Sequence, residues 1–241
     1  MSTVTMTTFK EIQSLLYSSA DTSKSSLKAR FFQTGPGQYG EHDRFLGVPN
    51  TVTRSIAKTI KALPLTEIEQ LLSSPYNEER LLALIILVNA YAKASEEQRD
   101  TLYDFYLAHT ALINNWNLVD ASAHLIVGRH LYSKDKALLI TLAHSPSLWE
   151  RRIAIVATWY FIRKNSLEST FLLSDILITD THDLIHKAVG WMLREAGKRN
   201  EEQLRVFLKE RAPYMPRTML RYALEKFSSE EQKAFRELKK P

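Results

Sequence analysis

The sequence predicts an all-α fold in which helix pairs stack as a solenoid. Three observations carry this. Turn formers are scarce: 7 glycines and 8 prolines in 241 residues, each about 3%, where ordinary usage is roughly 7% and 5%. Apolar residues recur at helical spacing along most of the chain, with breaks at Ser-Pro, Asn and Ala-Pro joints. A third sign is an internal repeat. SPYNEERLLALIIL around Pro75 resembles SPSLWERRIAIVAT around Pro146, and eight residues separate Pro75 from Ala83 and Pro146 from Ala154. In the same frame stand Ala188 and Ala223, so the intervals run 71, 34 and 35, and a unit centred near Ala121 completes the series. A period near 35 with two helices per unit is the sign of a helical solenoid, since each pair has an apolar face that only its neighbours can cover. An irregular bundle with accidental spacing is the alternative.

The elements follow in order. Residues 1–8 are rich in Thr and Ser and are expected to form a disordered tail. A first amphipathic helix is predicted over 9–17, with Phe9, Ile12, Leu15 and Leu16 on one face. The run from Asp21 through Ser26 is a loop or a helix start. Four of the seven glycines fall in 35–47, GPGQYGEHDRFLG, the one long non-helical connection. Helices are then predicted over 81–91, 100–112, 118–131, 149–164, 183–198, 201–210 and 218–227. The reading is of a single domain over 9–230, with 231–241 as a C-terminal helix end or tail.

Composition narrows the function. The chain is 44% hydrophobic, enough for a real core. It has no cysteine, which removes disulfides, thiolate metal sites and cysteine nucleophiles, and which fits a reducing cytosol. Its longest apolar run, 153–162 if Thr158 is allowed, is far short of the roughly 18 residues of a membrane span. The opening MSTVTMTTFKEI has no basic or apolar region of a signal peptide. A net charge of +5 and a pI near 9.3 favour an anionic partner.

Two motifs suggest chemistry that their surroundings deny. GPGQYG matches the dinucleotide fingerprint G-x-G-x-x-G, which needs a strand before it and a helix after it. Here 27–32 reads as helix, EHDRFLGVPN cannot be a long helix, and a parallel sheet is missing. A glycine-rich surface loop is the better reading. HDLIH, from His182 to His186, imitates the zincin H-E-x-x-H, but Asp183 replaces Glu and no third ligand is suggested. Histidines at a helix start explain it better. Glu78 and Glu79, and Glu201 and Glu202, are read as first-turn acids that complement helix dipoles. What remains is distributed. Trp116 and Asp120 lie four apart and share a helix face. Arg151 and Arg152 follow Trp149 in a first turn, and Trp191 lies mid-helix. Equivalent positions of successive units would line one concave surface, so these residues converge there or else each tryptophan is simply core.

At these residues the sequence resembles the AlkD family of bacterial DNA glycosylases, HEAT-like-repeat enzymes of alkylation repair. The likeness is carried by W-x-x-x-D (Trp116, Asp120), by W-x-x-R-x-A-I (Trp149, Arg152, Ala154, Ile155) and by K-A-x-G-W-x-L-R-E (Lys187, Ala188, Gly190, Trp191, Leu193, Arg194, Glu195). FLGVP (Phe45 to Pro49) resembles the segment leading into the family's second helical stretch, although the glycine-rich insertion before it is longer here. The match spans roughly 27–227. It implies a HEAT-like (armadillo-type) solenoid with a concave basic groove. It also implies release of cationic N3- and N7-alkylated purines from duplex DNA, the first step of base excision repair, with the base staying largely stacked. The protein is then expected to be a monomer in the bacterial cytoplasm, associated with the nucleoid.

The implied roles follow from that chemistry. An alkylated purine is cationic and leaves without a general acid, and the sugar becomes oxocarbenium-like as the bond breaks. Asp120 would stabilise that charge and activate water. Trp116 and Trp191 would pack on the sugar through cation–π attraction, and Arg152 would hold the adjacent phosphate. Arg151, Lys187, Arg194 and Lys198 would line the groove. A family tyrosine near DNA corresponds to Phe31, which lacks the hydroxyl. Neither metal nor cofactor is expected, and no lysine is placed as a Schiff-base nucleophile, so strand cleavage is not expected. A non-catalytic binder of branched or bent DNA and a protein-interaction solenoid are the competing functions.

Overall fold

Helix α1 (Phe9–Tyr17) starts where Thr8 and Glu11 cap each other's backbone, and it buries Ile12 and Leu16. The computed structural model describes residues 8–240, so the expected tail lies outside the described residues except for Thr8, which is this cap. Among those residues there is no β-strand; one parallel bridge joins Arg44 to Tyr76. Two compact units divide between Ser122 and Ala123.

The first unit continues with α2 (Thr22–Phe31), which is the helix start at Asp21: its carboxylate accepts from the Ser23 and Lys24 amides. The glycine-rich connection follows, as expected. Next come α3 (Asn50–Thr59) and α4 (Leu65–Leu72), both begun after a proline. At the centre is α5 (Asn77–Lys93), where twelve of 17 residues are buried, the pattern of a helix enclosed on all sides. It packs against α3, α4 and α7 (Trp116–Ser122), while α6 (Glu96–Ala108) returns the chain under a Ser95–Gln98 capping box.

In the second unit the predicted helix 118–131 takes a different form. Beyond α7, residues His124–Gly128 make a π-helical turn that runs into α8 (Arg129–Leu131). Such one-turn insertions re-aim side chains and cluster at functional sites. Then follow α9 (Ala137–Ala143), α10 (Leu148–Ile162), α11 (Glu168–Ile176), α12 (Asp183–Gly197), α13 (Glu201–Arg211), α14 (Arg217–Ala223) and α15 (Ser229–Glu237). The π turn, α10, α12 and α14 pack in succession, and α9, α11 and α13 form the alternate layer. The pattern of two helices per repeat is thus visible in this unit. Ala154, Ala188 and Ala223 are all buried where inner helices meet, as is Ala83 in α5. In the middle repeat Ala121 is half-buried, and the fully buried small residues are its neighbours Ser122 and Ala123. The expected C-terminal tail holds α15, whose Phe235 packs on Phe227.

Two motif glycines are required by geometry. Gly47 of FLGVP has φ +83°, and a Cβ there would meet the Asp21 carbonyl oxygen at 2.0 Å. Gly190, beside Trp191, lets α12 approach α14: a Cβ would lie 2.5 Å from the Met219 carbonyl oxygen and 2.5 Å from the Tyr222 Cβ.

Candidate nucleic-acid interface

In the first unit, Trp116 opens α7 and Asp120 lies one turn on, both half-buried. Trp116 is positioned by rings. Phe32 stacks on it at 4.9 Å with planes 10° apart, and Phe45 stacks on Phe32 at 4.8 Å. Phe31 meets the Trp116 edge at 5.9 Å and is 67% exposed, so the expected Phe31 and Trp116 positions form one aromatic surface. Phe32 is the residue that sequence reading passed over; its neighbour Phe31 drew the attention, and no helical period marks a residue in a turn.

Asp120 sits near buried Tyr106. Burial pushes the Tyr106 hydroxyl well above its ordinary value, the Ser122 hydrogen bond opposes this, and the charge of Asp120 adds to the rise. Tyr106 Oη and Ser122 Oγ are 3.0 Å apart, and Ser122 Oγ donates to the Leu118 carbonyl at 2.6 Å. The α7 backbone around Asp120 is thereby tied to α6.

In the second unit, Trp191 lies on α12 and is half-buried. Its ring meets Trp159 of α10 at 4.9 Å in an edge-to-face contact, and Trp159 in turn meets His124 of the π turn at 4.4 Å. Trp159 escaped the sequence reading although its spacing was informative: it lies seven residues after Arg152, two turns along the same helix face. Arg152 itself is 5% exposed, and its Nη1 donates to the Leu184 carbonyl at 2.5 Å, bridging α10 and α12. In this structure it is a strut between helices rather than an open fork.

The other expected DNA contacts are already engaged. Arg151 Nε pairs with Asp180 at 2.6 Å, and its Nη1 donates to the carbonyls of Ser145 and Pro146, each at 3.0 Å. Lys187 pairs with Asp183 at 2.7 Å and Lys198 with Glu195 at 2.7 Å. Arg194 contacts Glu225 and Glu195. The Arg194 hydrogen bond holds Glu225 below the usual carboxylate range, and Lys187 does the same for Asp183. Acids therefore accompany the cations that were expected to line a basic groove. An exposed pair such as Lys187–Asp183 is worth about 0–1 kcal/mol, so a phosphate can replace that carboxylate at small cost, whereas the Asp180 side chain that holds Arg151 is buried.

The tempting motifs resolve simply. GPGQYG follows a helix and precedes an irregular segment, as its rejection required. His182 caps α12, its Nδ1 accepting from the Leu184 amide at 3.1 Å, while His186 Nε2 bonds the Asp180 carbonyl. Among the described residues no group of three or more His, Asp or Glu side chains is gathered for a metal. Glu78 stands in the first turn of α5, as read, and has a further role there: it is buried, and it accepts from the Leu46 and Gly47 amides at 3.0 and 3.1 Å and pairs with Lys28 at 2.9 Å.

Helical repeats carrying half-buried tryptophans, with several cations within reach of the surface, define a protein suited to a polyanionic partner. The chain belongs to the family described as DNA alkylation repair enzyme, which matches residues 12–227. Its fold is similar to a solved structure titled "Predicted DNA alkylation repair enzyme from Enterococcus faecalis", with a TM-score of 0.67 at 17% identity over 87% of this chain and 97% of that one. No curated protein matches the sequence at a significant level. Membership places the protein in DNA alkylation repair, with DNA as its partner. No described helix is long and apolar enough to cross a membrane.

Proposed function

We propose that this protein is a monomeric, monofunctional DNA glycosylase that releases cationic N3- and N7-alkylated purines from duplex DNA. The observation that carries the reading is the pair on α7: a tryptophan braced on one side by Phe32, with a carboxylate one turn away. Alkylation leaves the purine positively charged, so the C1′–N bond breaks with its electron pair going to the base, which departs neutral. The sugar is left as an oxocarbenium-like cation. Asp120 stabilises that cation and accepts the proton of the water that attacks C1′, leaving an abasic site. The electron-rich ring faces of Trp116 and Trp191 are each suited to a developing positive charge. Arg152 supplies fixed positive charge for a neighbouring phosphate, while Arg151, Lys187, Arg194, Lys198 and the exposed Phe31 ring grip the backbone.

The test is Asp120→Asn, which keeps size and removes charge. Single-turnover release of methylated purines from alkylated duplex is expected to fall about 100- to 1000-fold, the scale of losing one preorganised electrostatic group. The melting temperature should hold, and binding to undamaged duplex should hold or tighten, because a carboxylate beside phosphates is repulsive. An unchanged rate per folded molecule with a lowered melting temperature would make Asp120 a structural brace and end the assignment.

A further inference from the structure

The glycine-rich loop carries a buried charge that the proposed chemistry does not use. Asp43 is 5% exposed. Its Oδ2 accepts from Asn77 Nδ2 at 2.9 Å and from Asn115 Nδ2 at 2.5 Å, and its Oδ1 pairs with Arg80 of α5. Arg80 also donates to Asn114, and Asn77 and Asn117 exchange amide bonds, the shorter at 2.7 Å. The residues on both sides of Trp116 are thus each bonded to the loop or to α5. Asn115 completes the connection. Its Oδ1 accepts from the Trp116 amide at 2.7 Å, and its carbonyl accepts from the amides of Leu118 and Val119. Asn115 is therefore both the start of α7 and a ligand of Asp43.

Stability alone does not explain such a junction. Burying a carboxylate with a guanidinium is costly, and apolar replacements of similar volume are often neutral or stabilising. Burial draws the Arg80 guanidinium down to about 10, the direction expected of a cation taken out of water. What a polar network of this kind supplies is direction: each hydrogen bond tolerates little change in distance or angle, whereas apolar contacts slide. The direction supplied here is that of the first turn of α7.

We propose that Asp43 is a positioning residue: the glycine-rich loop brings its carboxylate to this junction in order to fix, through Asn115 and Asn77, the placement of Trp116 and Asp120. The placement is a property of the first unit by itself; its effect on base release rests on the glycosylase reading above. Asp43 touches no substrate in this role.

Of the four tryptophans only Trp116 belongs to the first unit, so Trp149, Trp159 and Trp191 are internal controls. The experiment compares the full-length wild type with Asp43→Asn, Asn115→Ala and Asn115→Ser. It records the indole N–H signals by NMR well below the melting temperature, with Trp116→Phe identifying the Trp116 signal. Serine restores a helix-capping acceptor but cannot donate to Asp43 in the amide geometry, which separates capping from positioning. All three variants are expected to shift or broaden the Trp116 signal while leaving the other three in place. Single-turnover release of methylated purines should fall about 10- to 100-fold, the scale of misplacing a catalytic group by an ångström or so. Affinity for undamaged duplex should change less than about threefold, since this junction carries no phosphate contact. If Asp43→Asn does not fold, Asp43→Asn/Arg80→Met removes both buried charges together and takes its place. A Trp116 signal at the wild-type position in folded variants would overturn the proposal. So would full rescue by Asn115→Ser, or a rate loss that only tracks the folded fraction. Should the wild type release no base, the glycosylase reading fails, and the indole signals still decide whether Asp43 places Trp116.

Discussion

His182 shows what a single side chain does for a helix carrying part of the site. Its Nδ1 accepts the Leu184 amide, and an imidazole can do that only while this nitrogen is unprotonated. Burial lowers its pKa; Arg151 and His186 act in the same direction, and Asp180 and Asp183 oppose it. The folded chain therefore holds the neutral ring, whereas the unfolded chain binds a proton near the ordinary imidazole value. Where the unfolded state binds more protons, stability rises with pH. This contribution is accordingly complete above about pH 6.5 and is lost on acidification below it. His182→Asn caps with an amide at any pH. Chemical denaturation at pH 7 and pH 5 should show the variant losing about 1 kcal/mol less than wild type over that interval, the size of one helix cap. Equal losses in the two proteins would refute the role.

Between elements, the contact of α12 with α14 is decided by the absence of one Cβ. Replacing Gly190 by alanine improves helix propensity by about 1 kcal/mol. The new methyl, however, meets a backbone oxygen and the Tyr222 Cβ at 2.5 Å each, and neither can swing aside. Overpacking of that kind costs about 1–3 kcal/mol, so the clash outweighs the propensity and Gly190→Ala should be net destabilising in urea titrations. Because Trp191 is the next residue, its contact with Trp159 should loosen as well, seen as a change in near-ultraviolet circular dichroism. A variant as stable as wild type would mean that α14 yields freely.

For the molecule as a whole, charge governs how DNA is met. The surplus of +5 is small, so attraction depends on local cations. Lys187 and Arg194 pair with the exposed Asp183 and Glu225, and the exposed Lys198 pairs with the part-buried Glu195; pairs at the surface add little to stability. Changing all three to glutamine should move the unfolding free energy by no more than about 1 kcal/mol per pair. Affinity for undamaged duplex should respond far more. Each phosphate contact contributes about 0.9 to the slope of log affinity against log salt, so the triple variant should flatten that slope by roughly 2–3. An unchanged slope would show that these side chains do not meet the backbone.

The local statements of the sequence carried well because they depend on neighbours in the chain. Phe9, Ile12 and Leu16 repeat at the helical period, and α1 spans Phe9–Tyr17 as that period requires. The same logic put Trp116 and Asp120 on one face of α7 before any contact was visible. The short helices α3, α4, α9 and α11 are absent from the sequence reading, having seven to ten residues apiece and so few turns to show a period. Only the folded chain could decide the polar interior. Glu78 and Glu79 are legible as first-turn acids, but their burial is not: loop amides from 31 and 32 residues away come to meet Glu78. Asp43 and Asn115 are 72 residues apart and leave no periodic trace, since a polar side chain is stable inside a protein only when its partner arrives from elsewhere. Spacing along the chain thus determined which residues share a helix face. Tertiary contact decided which of them are held still, because a hydrogen bond needs two groups and spacing describes only one.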